Sequence, residues 1–215
     1  MSITDVADIR REYKKRKLDE SDIYKNPIRQ FGVWMDQALK SEIWDATAMT
    51  LATASADGLP TSRTVLLKSY DKNGFVFYTN YLSRKGLQLN QNPRACLLFY
   101  WAELERQVRI EGSVKQISRE DSREYFHSRP VDSQIAALVS RQSSPVASRQ
   151  ELENRFETLK QEYGDGPVPM PDNWGGYRVV PVRFEFWQGR ESRLHDRIEY
   201  QKNTKEKWHI RRLAP

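Results

Sequence analysis

From Thr47 to Ile117 the apolar residues recur every second position, Ser118 to Tyr163 carries helical spacing, and the two-residue period returns at Tyr177. Strands, then helices, then strands that must rejoin the first set restrict the chain to a Greek-key-like barrel with peripheral helices, a mainly β (α+β) fold. The expected strands are 47–55, 61–70, 75–80, 94–101, 105–117, 177–188, 195–201 and 207–212. Asp57-Gly58 and Asp71-Lys72-Asn73-Gly74 supply hairpin turns, and Gly112 a bend. Long connections favour a single domain over residues 1–215, with 1–25 as a mobile N-terminal arm. An open barrel of this size leaves an apolar flank for a second copy, so a homodimer is expected.

The helices announce themselves by their caps. Thr4, Asp5 and Asp8 predict a basic helix over 4–17, and Asn26 before Pro27 opens a helix with Ile28, Phe31, Met35, Ala38 and Leu39 as its buried stripe. A short helix is expected from Ser83 to Asn90. Ser118 with Asp121 starts another that stops at Arg129-Pro130, and Asp132 or Ser133 caps the next, through Val139. Ser148 and Glu151 form a second capping box, with Leu152, Phe156, Leu159 and Tyr163 on the buried stripe.

The net charge is +6, with both signs interleaved and no long single-sign block or Arg/Gly-rich tail. That pattern suits small anionic ligands better than a nucleic-acid track. A barrel for single-stranded nucleic acid would need aromatics interleaved with cations along a groove, and here the aromatics fall mostly at core-like positions. Cys96 stands alone in the apolar run ACLLFY and reads as a core residue. No run of 18 apolar residues and no apolar leader occur, so a soluble, cytoplasmic protein is expected. His127 and His209 have no partners at metal-ligand spacing, and no metal site is expected.

Four groups of residues carry candidate chemistry. In Arg63-Thr64-Val65-Leu66-Leu67-Lys68 a buried strand core carries a cation at each end, the two pointing to opposite faces. Snorkelling to solvent is the competing reading. Ser83-Arg84-Lys85 puts two cations in a first helical turn, against the helix dipole, which an anion held there would reverse. Tyr125 and Arg129 are i,i+4 on one helix, and Ser133 opens the next, so the three converge as a second anion site with Lys68 as a fourth member. Arg193, His195 and Arg197 alternate in RLHDR and would share one strand face, with Trp187 nearby and Asp196 as counter-charge. The absence of a Walker loop, a G-x-G-x-x-G run and a Ser/His/Asp order argues against P-loop, Rossmann and hydrolase readings.

The motifs RREY (10–13), RTVLLK (63–68), GFVFYTN (74–80), SRKG (83–86) and LERQVRIEG (104–112) occur in that order. They continue with YFHSRPVDSQI (125–135), SRQSS (140–144), WGGYRV (174–179), EFWQG (185–189), RLHDR (193–197) and RLAP (212–215). Together they resemble the pyridoxine/pyridoxamine 5′-phosphate oxidase family, flavoenzymes of vitamin B6 metabolism. The resemblance implies an FMN-binding split β-barrel homodimer, with FMN at the subunit interface. It implies oxidation of pyridoxine or pyridoxamine 5′-phosphate by O₂ to pyridoxal 5′-phosphate and hydrogen peroxide, with ammonia from the amine. Carried over by position, the FMN contacts are Arg63 through Lys68, Tyr78, Thr79, Arg84, Lys85, Gln107, Gln142, Ser143, Trp187 and Arg197. The substrate phosphate meets Lys68, Tyr125, Arg129 and Ser133. Arg193, Leu194 and His195 lie at the pyridine ring, Arg193 and His195 as the catalytic pair, and Arg10, Arg11, Glu12 and Tyr13 close over it. The competing reading is a flavin-binding barrel that stores or senses a ligand without turnover.

Overall fold

The computed structural model describes residue 13, residues 16–164 and residues 166–215. Five helices and nine strands are found among them: α1 (Pro27–Leu39), α2 (Arg84–Gln91), α3 (Arg119–Ser128), α4 (Val131–Val139) and α5 (Arg149–Tyr163) are the helices. The strands are β1 (Ala48–Ala54), β2 (Pro60–Leu66), β3 (Ser69–Asp71), β4 (Gly74–Asn80), β5 (Arg94–Trp101), β6 (Arg106–Gln116), β7 (Trp174–Gln188), β8 (Asp196–Lys202) and β9 (Trp208–Leu213). They join one sheet in the order β2-β1-β5-β6-β7-β4-β3, with β8 on β7 and β9 on β8. The chain divides into a first unit (1–46, 98–110, 182–215) and a second unit (47–97, 111–181), and β5, β6 and β7 contribute residues to both.

In the first unit α1 begins where the sequence requires. The Asn26 side chain accepts from the N–H groups of Ile28 and Arg29 at 2.9 and 3.3 Å, and Pro27 has no N–H to leave unpaired. The buried face is turned from the expected stripe: Phe31, Trp34, Met35 and Ala38 are buried, Ile28 is half-buried and Leu39 is exposed. Trp34 meets Phe186 edge-on at 5.2 Å, which explains the rotation, because the larger ring takes the inward position. The helix expected over 4–17 lies mostly outside the described residues; Tyr13, Arg16 and Lys17 are not helical. β8 pairs antiparallel with β7 and β9, and Ile198 and Tyr200 complete this unit's core. Arg193 ends a short 3-10 turn, and β8 starts only at Asp196, so Arg193, His195 and Arg197 do not share a strand face.

In the second unit β1 and β2 form an antiparallel hairpin with Ala48 opposite Leu66 and Ala54 opposite Pro60. The expected strand 61–70 is broken at Leu67-Lys68. Leu67 N–H still bonds Thr47 O, whereas Lys68 N–H bonds Val76 O on β4, so the chain changes partner between adjacent residues. That change alters two expectations. β2 ends the sheet order, leaving Leu66 exposed and Val65 half-buried, with only Leu67 of the three buried. Arg63 and Lys68, expected on opposite faces, line the same cleft.

The Asp71–Gly74 turn joins β3 to β4, and Gly74 adopts φ +132 with the Val179 carbonyl pressed where a Cβ would stand. β6 runs through Gly112 without interruption, the glycine admitting Val180 O rather than bending the strand. α3 and α5 start at the expected serines, each accepting from the N–H three residues on. α4 differs: Pro130 is its N-cap, and Ser133 sits inside the first turn. Cys96 is half-buried, and Trp44 is fully exposed in the single chain.

Candidate active site

A cleft of about 550 Å³ opens in the second unit. Arg63 to Leu66 of β2 form one wall with Lys68, and Tyr78 and Thr79 of β4 a second. Lys85, Tyr125, Arg129, Gln142 and Trp174 complete it. Among the described residues none of Arg63, Lys68, Lys85 and Arg129 makes a salt bridge. Four cations without a carboxylate in one concavity call for an anionic ligand.

Lys85 is buried in the first turn of α2, whose cap Ser83 accepts from Gly86 N–H at 3.4 Å. Its Nζ donates to Gln142 Oε1 at 2.8 Å and to Thr79 Oγ1 and Ser83 Oγ at 3.2 Å. All three partners are neutral, so burial, with Arg63 adding like-charge repulsion, pulls its pKa down to about 8. Arg63 donates to Leu51 O at 3.1 Å, Thr53 Oγ1 at 2.6 Å and Thr61 Oγ1 at 2.5 Å. The two threonine hydroxyls in turn donate to the Gln88 side chain of α2 at 2.6 and 2.7 Å, which fixes β1, β2 and α2 around the guanidinium. Burial first, then the nearby Arg84, lowers the Arg63 pKa.

The rest of the cleft is aromatic. Tyr78 stacks on Tyr125 at 3.9 Å and on Trp174 at 5.4 Å, nearly parallel in both cases. Burial, and then Tyr125, push the Tyr78 hydroxyl up to about 12, so it stays a protonated donor. Arg129 lies over Trp174 at 4.9 Å, and its Nη2 donates to Ser133 O at 2.7 Å. Its Nη1 is buried without a hydrogen-bond partner, and burial lowers its pKa. A buried orphan N–H pair is costly unless a ligand accepts from it.

Several expected residues fall elsewhere. Ser133 offers Arg129 its backbone carbonyl and does not line the cleft. Arg84 and Ser143 are exposed, and Ser143 adopts φ +73. Gln107 is half-buried in the first unit, and Arg10, Arg11 and Glu12 lie outside the described residues. Trp174, which is not among the carried-over contacts, also lines the cleft. Its signal was available in the two glycines that follow, which let β7 lie close to Tyr81 and Ile117.

The first unit holds a separate cluster. Tyr13 packs edge-on against Trp187 and His195 at 5.7 and 5.6 Å, and Trp187 and His195 are 4.7 Å apart. The Arg190 N–H donates to His195 Nδ1 at 3.1 Å. Burial, then Arg193, lower the His195 pKa against the opposing effect of Asp196. Asp196 ties the loop down, accepting from Arg190, Arg212 and the N–H of Leu18. Arg193 and Leu194 are exposed, and Arg193 takes φ +60. No group of three or more potential metal ligands occurs among the described residues, and no helix among them is long and apolar enough to cross a membrane.

Residues 35–163 match the family described as pyridoxamine 5′-phosphate oxidase, and residues 174–215 match the pyridoxine 5′-phosphate oxidase C-terminal dimerisation region. A pyridoxine/pyridoxamine 5′-phosphate oxidase of Bordetella petrii is 56% identical, over 98% of this chain and 99% of that one. A relative of the same name from Ralstonia pickettii is 52% identical over 99% of this chain and all of its own. Among solved structures, PhzG from Burkholderia lata, in complex with tetrahydrophenazine-1-carboxylic acid, superposes with TM-score 0.86 at 29% identity, over 91% of this chain and 95% of that one. A pyridoxamine 5′-phosphate oxidase-related, FMN-binding protein of Nostoc punctiforme superposes at TM-score 0.70 and 19% identity, covering 88% and 98%, and shares the fold. The mainly β chain, with its split-barrel fold, belongs to the pyridoxine/pyridoxamine 5′-phosphate oxidase family of oxidoreductases.

Proposed function

We propose that the protein is an FMN-dependent homodimer that oxidises pyridoxine 5′-phosphate or pyridoxamine 5′-phosphate to pyridoxal 5′-phosphate, reducing O₂ to hydrogen peroxide. Pyridoxine 5′-phosphate plus O₂ gives the aldehyde and hydrogen peroxide; the amine also consumes water and releases ammonia. The observation that carries this reading is the cleft with four cations and no carboxylate partner, one of them with an orphaned buried nitrogen. Two phosphate esters, one of the cofactor and one of the substrate, account for so many. The reading includes one domain over residues 1–215 with an N-terminal arm, a homodimer with FMN at the subunit interface, and a cytoplasmic location.

Buried Lys85 and Thr79, half-buried Arg63 and exposed Gln142 fit an FMN phosphate: donors preorganised by neutral partners, so that binding restores charge balance. FMN, when bound, supplies the chemistry, accepting two electrons from the substrate carbon and returning them to O₂. The protein's task is binding and orientation. Arg129, Tyr125 and Lys68 hold the substrate phosphate, Arg129 through Nη1 and Tyr125 as a hydroxyl donor whose pKa burial keeps high. That anchor sets the distance to the reacting carbon. Arg193 orients the pyridine ring. With Nδ1 accepting from Arg190, neutral His195 carries its proton on Nε2 and donates it as a hydrogen bond to the ring substituent.

An anaerobic absorbance experiment tests the function. Protein loaded with FMN should bleach on adding either substrate and recover in air. Flavin that binds but never bleaches would favour the storage or sensing reading, and failure to take up FMN would overturn the proposal.

A further inference from the structure

Glu185 of β7 and Glu199 of β8 stand directly opposite each other in the antiparallel register, and each is 3% exposed. Two facing buried carboxylates repel unless cations surround them. Each has two. Glu185 accepts from Arg109 Nη2 at 2.6 Å and Arg197 Nε at 2.8 Å. Glu199 is paired with Arg183 Nε at 3.2 Å and Arg211 Nε at 2.6 Å. The two sites match in depth, register and partner type, so a purely architectural role would be common to both.

They differ in how closely their arginines are held: the Arg211 side chain is 61% exposed and the Arg197 side chain 27%. Arg197 also donates from Nη1 to the Ala214 carbonyl at 2.7 Å, so two of its nitrogens are engaged on the protein. A long cationic side chain free in solution samples many rotamers and must lose them to grip a ligand. Arg197 is already held. The family resemblance gives Arg197 as a flavin contact, and this inference rests on that expectation while deepening the proposed function. We propose that Glu185 is a positioning residue for the cofactor: it presets the Arg197 guanidinium, whereas Glu199, its counterpart across the strands, serves the fold alone.

The test compares Glu185→Gln with Glu199→Gln in the full-length protein. Glutamine keeps the size and one acceptor while removing the charge. Apo protein is titrated with FMN by flavin fluorescence, and its thermal midpoint is measured beside it. Glu185→Gln should raise the FMN Kd about tenfold, the order expected for a weakened charge-assisted hydrogen bond. Glu199→Gln should leave Kd within about twofold while lowering the midpoint comparably. Equal Kd shifts in the two variants, or none in Glu185→Gln, would overturn the proposal.

Should Glu185→Gln not fold, Glu185→Asp keeps the charge but withdraws it from Arg197. Weaker FMN binding by that variant supports the proposal, and unchanged binding overturns it. Arg197→Ala separates the two levels of the argument. Normal FMN affinity in that variant removes Arg197 from the cofactor and overturns the positioning role with it, while the proposed oxidation is decided by the bleaching experiment. Weakened affinity there, with Glu185→Gln unaffected, overturns the positioning role alone.

Discussion

Arg129 donates Nη2 to the Ser133 carbonyl at 2.7 Å, and that bond, with the Trp174 ring beneath, fixes the guanidinium with Nη1 buried and unspent. Arg129→Ala should therefore remove a phosphate contact without disturbing the Lys85 end of the cleft. The loss of a charge-assisted hydrogen bond, about 2 kcal/mol, corresponds to roughly a thirtyfold rise in KM for the substrate. Steady-state kinetics with an FMN titration check this. Loss of FMN with unchanged KM would mean that the two phosphate positions are exchanged.

Lys85 gives a pH dependence with a definite sign. Its pKa in the ligand-free protein is lowered to about 8, and a bound phosphate dianion must raise it. FMN affinity should hold below about pH 8 and fall above it, levelling off beyond the pKa of the complex, with proton uptake on binding in that window. Stability of the ligand-free protein runs the other way. The unfolded lysine keeps its proton up to its ordinary pKa, so stability should rise between about pH 8 and that value. Titrations across pH with Lys85→Met as control measure both. A flat affinity profile in the unmodified protein would remove Lys85 from the phosphate site.

His195 should act as a neutral donor. The Arg190 N–H occupies Nδ1, and protonating that nitrogen would set two donors against each other. With its pKa held below the ordinary histidine value, activity should fall only on the acid side of that value, as the imidazolium forms. His195→Gln places an amide N–H near the Nε2 position and should retain more flavin-reduction rate than His195→Asn. Single-turnover reduction of the two variants decides. Equal losses would argue against an Nε2 donor.

Gly74→Ala should destabilise by about 1–3 kcal/mol, because a Cβ there meets the Val179 carbonyl and the backbone φ of +132 disfavours any side chain. A melt should show a midpoint several degrees lower, with FMN affinity little changed in the folded fraction. An unchanged midpoint would mean that β3 and β4 relax freely.

What the sequence revealed and what it concealed divide by range. The caps at Asn26, Ser118 and Ser148 and the Asp71–Gly74 turn were legible because each is decided within a few residues by hydrogen bonds to nearby N–H groups. The burial of Val65 and Leu66 was misread because the position of β2 at the end of the sheet order depends on strands distant in sequence. Arg63 and Lys68 were assigned to opposite faces by a rule that holds only while the strand continues, and it stops at Leu66. The alternation of Arg193, His195 and Arg197 failed similarly, the 3-10 turn interrupting the period. Pro130, not Ser133, caps α4, since proline's fixed φ already suits the entry to a helix. The two glycines after Trp174 point to close packing there, but only the fold sets its ring against Tyr78 beside Arg129.

The repulsion between buried Lys85 and half-buried Arg63 also bears on how long a molecule of this protein survives. A cleft that is electrostatically unfavourable when empty leaves the ligand-free chain less stable than the loaded one, and proteolysis follows the opened fraction. Saturation at a thousand times Kd adds about 4 kcal/mol to the folded state, a difference that separates rapid turnover from persistence. On the reading proposed above, the steady-state amount of the protein should then track the supply of FMN, and scarcity of FMN would deplete the protein itself as well as its activity.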